Sequence, residues 1–171
     1  MSDRPEETLF VEQIPHLRRY ARALLRDRDA AEDLLQDVLA RAWSRLHLWQ
    51  AGTNMRTWLF AIMHNLHANF IRNASRRPVA LELEPQLARL GEPARQSEDL
   101  ELAVLERALG DLPPDQRAIV LLVGLEGLSY QQAADVLGIP VGTVMSRLHR
   151  GRERLRQLLA DGEAQGARGK P

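Results

Sequence analysis

The chain has 171 residues, enough for one large or two small domains, and its 23 basic and 23 acidic side chains cancel to zero net charge. It contains no cysteine, which excludes disulfides and thiolate metal sites. No apolar run approaches the ~18 residues of a membrane span, and the opening MSDRPEET lacks the apolar core of a secretory signal, so a cytoplasmic protein is expected.

Residues 1–8 read as disordered. Phe10, Ile14, Leu17, Ala21 and Leu24 then recur at helical spacing. Pro15 interrupts the pattern, so the main helix is expected over 15–26. After a polar turn, Asp29 reads as an N-cap with Glu32 completing a capping box. The helix over 30–46 buries Leu35, Leu39, Ala42 and Leu46 and shows Asp33, Gln36, Asp37 and Arg41 on its other side. Residues 47–54 form a loop containing Trp49. A third helix over 55–73 lines up Met55, Leu59, Ile62, Leu66 and Phe70, leaving His64, Asn65, Asn69 and Arg72 on a polar face rich in amides. Residues 1–75 therefore read as one three-helix domain.

Residues 76–98 carry three prolines, alternating charge and only weak periodicity, and read as a flexible linker with at most a helical turn near Leu87. Extended, it reaches at most ~75 Å. That exceeds one and a half turns of DNA, roughly 50 Å, so the flanking domains can occupy separate groove sites. A helix over 99–110 buries Leu100, Val104, Leu105 and Ala108, and an apolar helix over 115–123 must be a core element. The second domain spans 99–161, and 162–171 reads as a disordered tail.

The stretch GLSYQQAADVLGIPVGTVMSRLHRGRERLRQLL, residues 127–159, carries the clearest local instructions. Ser129 and Gln132 make a capping box. Gly138 supplies a left-handed corner, and Pro140 presets a second helix start. Small Ala134 lets the two helices approach, while Val144 and Leu148 share one inward face. This is a helix-turn-helix, whose second helix enters a major groove. Arg147, Arg150, Arg152, Arg154 and Arg156 follow closely as phosphate contacts. Residues 101–128 hold two bases and five acids, and residues 129–171 seven bases and four acids. A neutral total with a basic end suits a protein that reaches DNA with a partner's help.

The chain resembles the extracytoplasmic-function (group four) sigma factors of bacterial RNA polymerase over nearly its whole length. AEDLLQDVLARAW at 31–43 is similar to the family's polymerase-binding helix. MRTWLFAIMHNLHANFIR at 55–72 is similar to its promoter-melting helix. LPPDQRAIVLL and the helix-turn-helix resemble its −35 reading domain. The fold class expected is all-α: two small helical domains joined by a flexible linker, the C-terminal one a helix-turn-helix. The resemblance implies a sigma factor that binds core RNA polymerase and directs promoter recognition, DNA melting and transcription initiation under an anti-sigma factor.

Residue by residue, the resemblance implies that Asp33, Gln36, Asp37 and Arg41 dock on the clamp coiled coil of polymerase. The second domain would meet the polymerase flap. Trp49, Asn54, Asn65, Asn69 and Arg72 would serve the −10 element, capturing a base that has left the stack. Thr143, Met145, Ser146, Arg147, His149, Arg150, Arg152 and Arg154 would serve the −35 element. The family often has Lys or Arg at the position of Met145, and Met lacks the bidentate contact to guanine that Arg makes.

No catalytic residue, metal or cofactor is expected, and the free protein should be a monomer. His64 and His67 have a metal-ligand spacing, but no third ligand follows at credible spacing. Three rivals stand beside the sigma reading: an enzyme, a conventional helix-turn-helix regulator, and a decoy that sequesters an anti-sigma factor without touching polymerase. The linker also permits the two domains to fold onto each other. Glu101, Glu106, Asp111 and Asp115 are then expected to face basic helices and hide the DNA surfaces.

Overall fold

The computed structural model describes residues 5–76 and 96–168, with side chains described for 5–73 and 101–162. Most of the expected linker, 77–95, lies outside the described residues. Every regular element among the described residues is helical: α1 (Pro5–Leu25), α2 (Arg28–Ser44), a short 3-10 turn (Leu46–Leu48), α3 (Met55–Arg76), α4 (Gln96–Gly110), α5 (Pro114–Val120), α6 (Tyr130–Leu137) and α7 (Val141–Arg168).

In the first half, α1, α2 and α3 pack on one another around Leu17, Tyr20, Leu35, Val38, Leu59, Phe60 and Met63, all essentially without solvent contact. Tyr20 meets Phe60 edge-on, with ring centroids 5.2 Å apart. Burial of side chains of this size contributes roughly 1.5–3 kcal/mol each. Such packing explains why α1 runs unbroken through Pro15. A proline inside a helix costs about 3 kcal/mol, but its ring here lies on the exposed side, where water solvates the freed carbonyl. Phe10 and Leu17 are buried on either side of Pro15, so tertiary contact carries the helix past the break and back into the segment expected to be disordered.

Two further expectations need correction. The N-cap of α2 is Asp27, whose Oδ1 accepts from the Ala30 amide at 2.9 Å, and the helix begins two residues earlier than Asp29 implied. Glu32 pairs instead with Arg18 and Arg22 at 3.1 and 2.9 Å, tying α2 to α1. Arg26 makes the turn between those helices with φ +60°, a left-handed conformation that non-glycine residues rarely adopt. The polar stripe of α3 is also broader than its periodicity implied, since Phe70 is 65% exposed while Phe60 and Met63 fill the core.

In the second half, α5 continues into a π-helical turn over Leu121–Leu125, and Ile119 and Leu122 are fully buried. Gly151 lets α7 lie close on α5: a β-carbon there would fall 2.9 Å from Val120 Cγ2. The helix α7 also packs on α4. Its backbone stays helical to Arg168, where a disordered tail from 162 was expected. Gly162 sits against Val104 of α4, so contact with α4 extends past the expected end of the domain.

The halves do not stand apart. The core is continuous from Phe10 to Leu148, and α6 packs along α3.

Candidate nucleic-acid and polymerase interfaces

The helix-turn-helix follows its local rules closely. The Ser129 side chain accepts from the Gln132 amide at 3.1 Å, and Gln132 Oε1 accepts from the Ser129 amide at 2.8 Å. Gly138 has φ +64° and closes α6 in the left-handed region that favours glycine. Val144 and Leu148 are buried under the corner. That register leaves Met145, Ser146, His149 and Arg150 on the outer face of α7, with Met145 52% exposed.

The remaining residues of this face differ in availability. Thr143 is half-buried in the first turn of α7, and its carbonyl accepts from the Ser146 hydroxyl at 3.1 Å. Arg150 Nε donates to the Ser146 carbonyl at 3.4 Å, a long bond that leaves its outer nitrogens for a phosphate. Arg147 is half-buried and lies 3.6 Å from the Asp115 carboxylate on α5. Of the four acids expected to face basic helices, Asp115 pairs with one inside its own domain. Arg152 and Arg154 are exposed. Tyr130, Met145, Leu148, His149, Arg152 and Arg156 line an open groove of about 250 Å³ that mixes apolar and basic side chains.

On α2, Asp33, Gln36, Asp37 and Arg41 are all exposed, because Leu34, Leu35, Val38 and Ala42 take the inward positions. Trp43 borders this face at 55% exposure, with its ring edge-on to Phe10 at 5.6 Å. The result is a rigid, mixed-charge helical face with an aromatic margin, a surface suited to a partner helix.

The face assigned to the −10 element is less uniform. Asn65 and Asn69 are exposed one turn apart on α3, and Arg72 donates to Asn69 Oδ1. Asn54 caps α3: its Oδ1 accepts from the Thr57 amide at 3.1 Å, leaving its NH2 for another partner. Trp49 is half-buried, packed against the core after the 3-10 turn rather than open in a loop. The structure thus brings Asn65, Asn69 and Arg72 onto one surface, whereas Asn54 caps the start of the same helix and Trp49 packs against the core. His64 and His67 lie half-buried on α3, and burial lowers both pKa values; Arg117 adds to the effect at His67.

One polar cluster went unread in the sequence. Glu126, between α5 and α6, has a fully shielded side chain that meets Arg19 of α1 and Arg56 of α3. Glutamate after a leucine-rich helix carries no local signal of such burial.

The two halves of this geometry match two families in order. Residues 102–155 match Sigma-70, region 4, and residues 10–64 match the Sigma2 domain of PhyR. The chain is 38% identical over 147 residues to the ECF RNA polymerase sigma factor EcfG of Rhodopseudomonas palustris, covering 85% of this chain and 80% of that protein. The chain belongs to the ECF RNA polymerase sigma factors.

A probable RNA polymerase sigma-C factor of Mycobacterium bovis is 40% identical over 143 residues, covering 82% of this sigma factor and 75% of the relative. Among solved structures, the sigma factor RpoE of Bartonella quintana, captured with the anti-sigma factor NepR, superposes with a TM-score of 0.72 at 32% identity. The match covers 90% of this chain and 96% of that one. The family consists of non-enzymatic transcription initiation factors. No described helix is long and apolar enough to cross a membrane.

Proposed function

We propose that this sigma factor binds core RNA polymerase in the cytoplasm through its first half and reads a bipartite promoter with both halves, while polymerase supplies the catalysis. The observation that carries the reading is the exposure, on two separate rigid helices, of a mixed-charge face on α2 and a polar, basic face on α7. Asp33, Gln36, Asp37 and Arg41 dock on the clamp coiled coil, and the second domain meets the flap. Asn65, Asn69 and Arg72, supported by Trp49 and Asn54, hold unstacked −10 bases. Met145, Ser146 and His149 read −35 base edges. Thr143, Arg150, Arg152 and Arg154 hold phosphates, and Arg147 joins them once released from Asp115.

An anti-sigma factor fits the same layout, since the relative from Bartonella is found bound to one. The resemblance of residues 10–64 to the PhyR domain favours one second reading, a decoy that captures an anti-sigma factor and never binds polymerase. Polymerase binding separates the two. Asp33→Arg together with Asp37→Arg, both on exposed positions, should abolish retention of the chain by core RNA polymerase while leaving its helical signal unchanged. Equal retention of wild type and double variant contradicts the α2 assignment, and no retention of the wild type favours the decoy.

A further inference from the structure

Glu126 is the one charged side chain among the described residues that is buried, and the groups around it come from the other half of the chain. Arg19 of α1 grips it in a two-pronged bond, Nε to Oε1 at 2.9 Å and Nη2 to Oε2 at 3.0 Å. Arg56, at the start of α3, donates to Oε2 at 2.7 Å and to the Glu126 carbonyl at 2.6 Å. His16 Nδ1 lies 3.3 Å from the same carboxylate. A reciprocal clasp runs the other way: Arg117 of α5 donates through Nη1 to the Leu24 carbonyl at 3.0 Å, at the end of α1. Beside it, the Arg26 guanidinium lies over Gly110, in the space a β-carbon would otherwise take.

We propose that the Glu126–Arg19–Arg56 cluster is an ion latch that holds the free sigma factor in a closed state, and that the latch must open before both promoter elements are engaged. The spacing requires opening. In the closed state α6 packs on α3 and the recognition helix α7 packs on α6. Neighbouring helix axes lie 8–10 Å apart, so the recognition helix crosses roughly 20 Å from α3. Sites one and a half DNA turns apart are separated by roughly 50 Å. The closed state leaves the −35 face uncovered, so it works by distance and not by concealment.

The chemistry suits a reversible device. A buried carboxylate is tolerated only when paired, and separation returns all its partners to water, which offsets much of the lost attraction. Arg19 and Arg56 keep 50% and 28% of their side-chain surface exposed even when engaged, so water reaches the latch from the first domain's side. The ion pairs fix how the halves register, and the apolar contacts beneath them supply adhesion.

The test is an inter-domain distance. The chain has no cysteine, so Asp29→Cys on α2 and Gln157→Cys on α7, both exposed, place a spin-label pair across the latch without background. Pulsed dipolar spectroscopy on the full chain should give one narrow, short distance. Glu126→Lys, which sets a third cation between two arginines, should replace it with a broad, longer distribution. Glu126→Gln should shift the closed-to-open ratio by about a hundredfold, enough to bring a longer population into view. If Glu126→Lys loses helicity, Arg19→Glu carries the same test from the half-exposed side of the pair. A helical Glu126→Lys or Arg19→Glu protein with the wild-type distance distribution overturns the proposal. So does a wild type that is already broad. The measurement needs no polymerase, so a failed latch and a failed sigma reading give different results.

Discussion

On α7, the roles we propose for single side chains, recognition for some and attraction for others, follow from how they are held. His149 projects from the exposed face of α7, whereas Arg150 lies back along the helix toward the Ser146 carbonyl. His149→Ala should therefore change the order of preference across a panel of −35 sequences presented to the holoenzyme. Arg150→Ala should weaken all of them alike and lower the salt dependence by about one counterion. Equal changes of preference in both variants contradict the division. Spacing placed His149 on the outer face with Met145 and Ser146, opposite the inward Val144 and Leu148. Spacing could not reveal that Arg147 is already engaged by Asp115, since that carboxylate arrives from another helix.

The helices themselves differ in how openly their ends are written. Ser129, Gln132 and Gly138 act on backbone groups a few residues away, so the α6 cap and corner were legible from order alone. Asp27 and Asp29 are both acceptable caps, and only the neighbouring Arg18 and Arg22, which draw Glu32 away, decide between them. Pro15 and Gly162 misled for the same reason: each weakens a helix locally, yet Phe10 and Leu17 are buried around Pro15 and Gly162 itself sits against Val104 of α4. Gly151 is the strictest such contact. Gly151→Val should force α5 and α7 apart and cost about 1–3 kcal/mol, read as a lower denaturant midpoint with unchanged slope. An unchanged midpoint would show that the two helices are not held at that distance.

For the whole molecule, two halves with separate surfaces were legible, and their mutual arrangement was not. Glu126 and Arg19 are 107 positions apart, and no periodicity or cap connects them. The four acids expected to draw the halves together are exposed, and the buried acid was a fifth. A closed form that leaves its −35 face open differs from one that hides it, because it leaves the recognition helix accessible before polymerase arrives. Both forms depend on the chain being an initiation factor that delivers polymerase to promoters. The direct measurement is to mix the purified chain with core RNA polymerase and map transcript 5′ ends on genomic DNA. New start sites that share a bipartite upstream sequence are the predicted result; a start-site map identical to that of core polymerase alone would contradict the account.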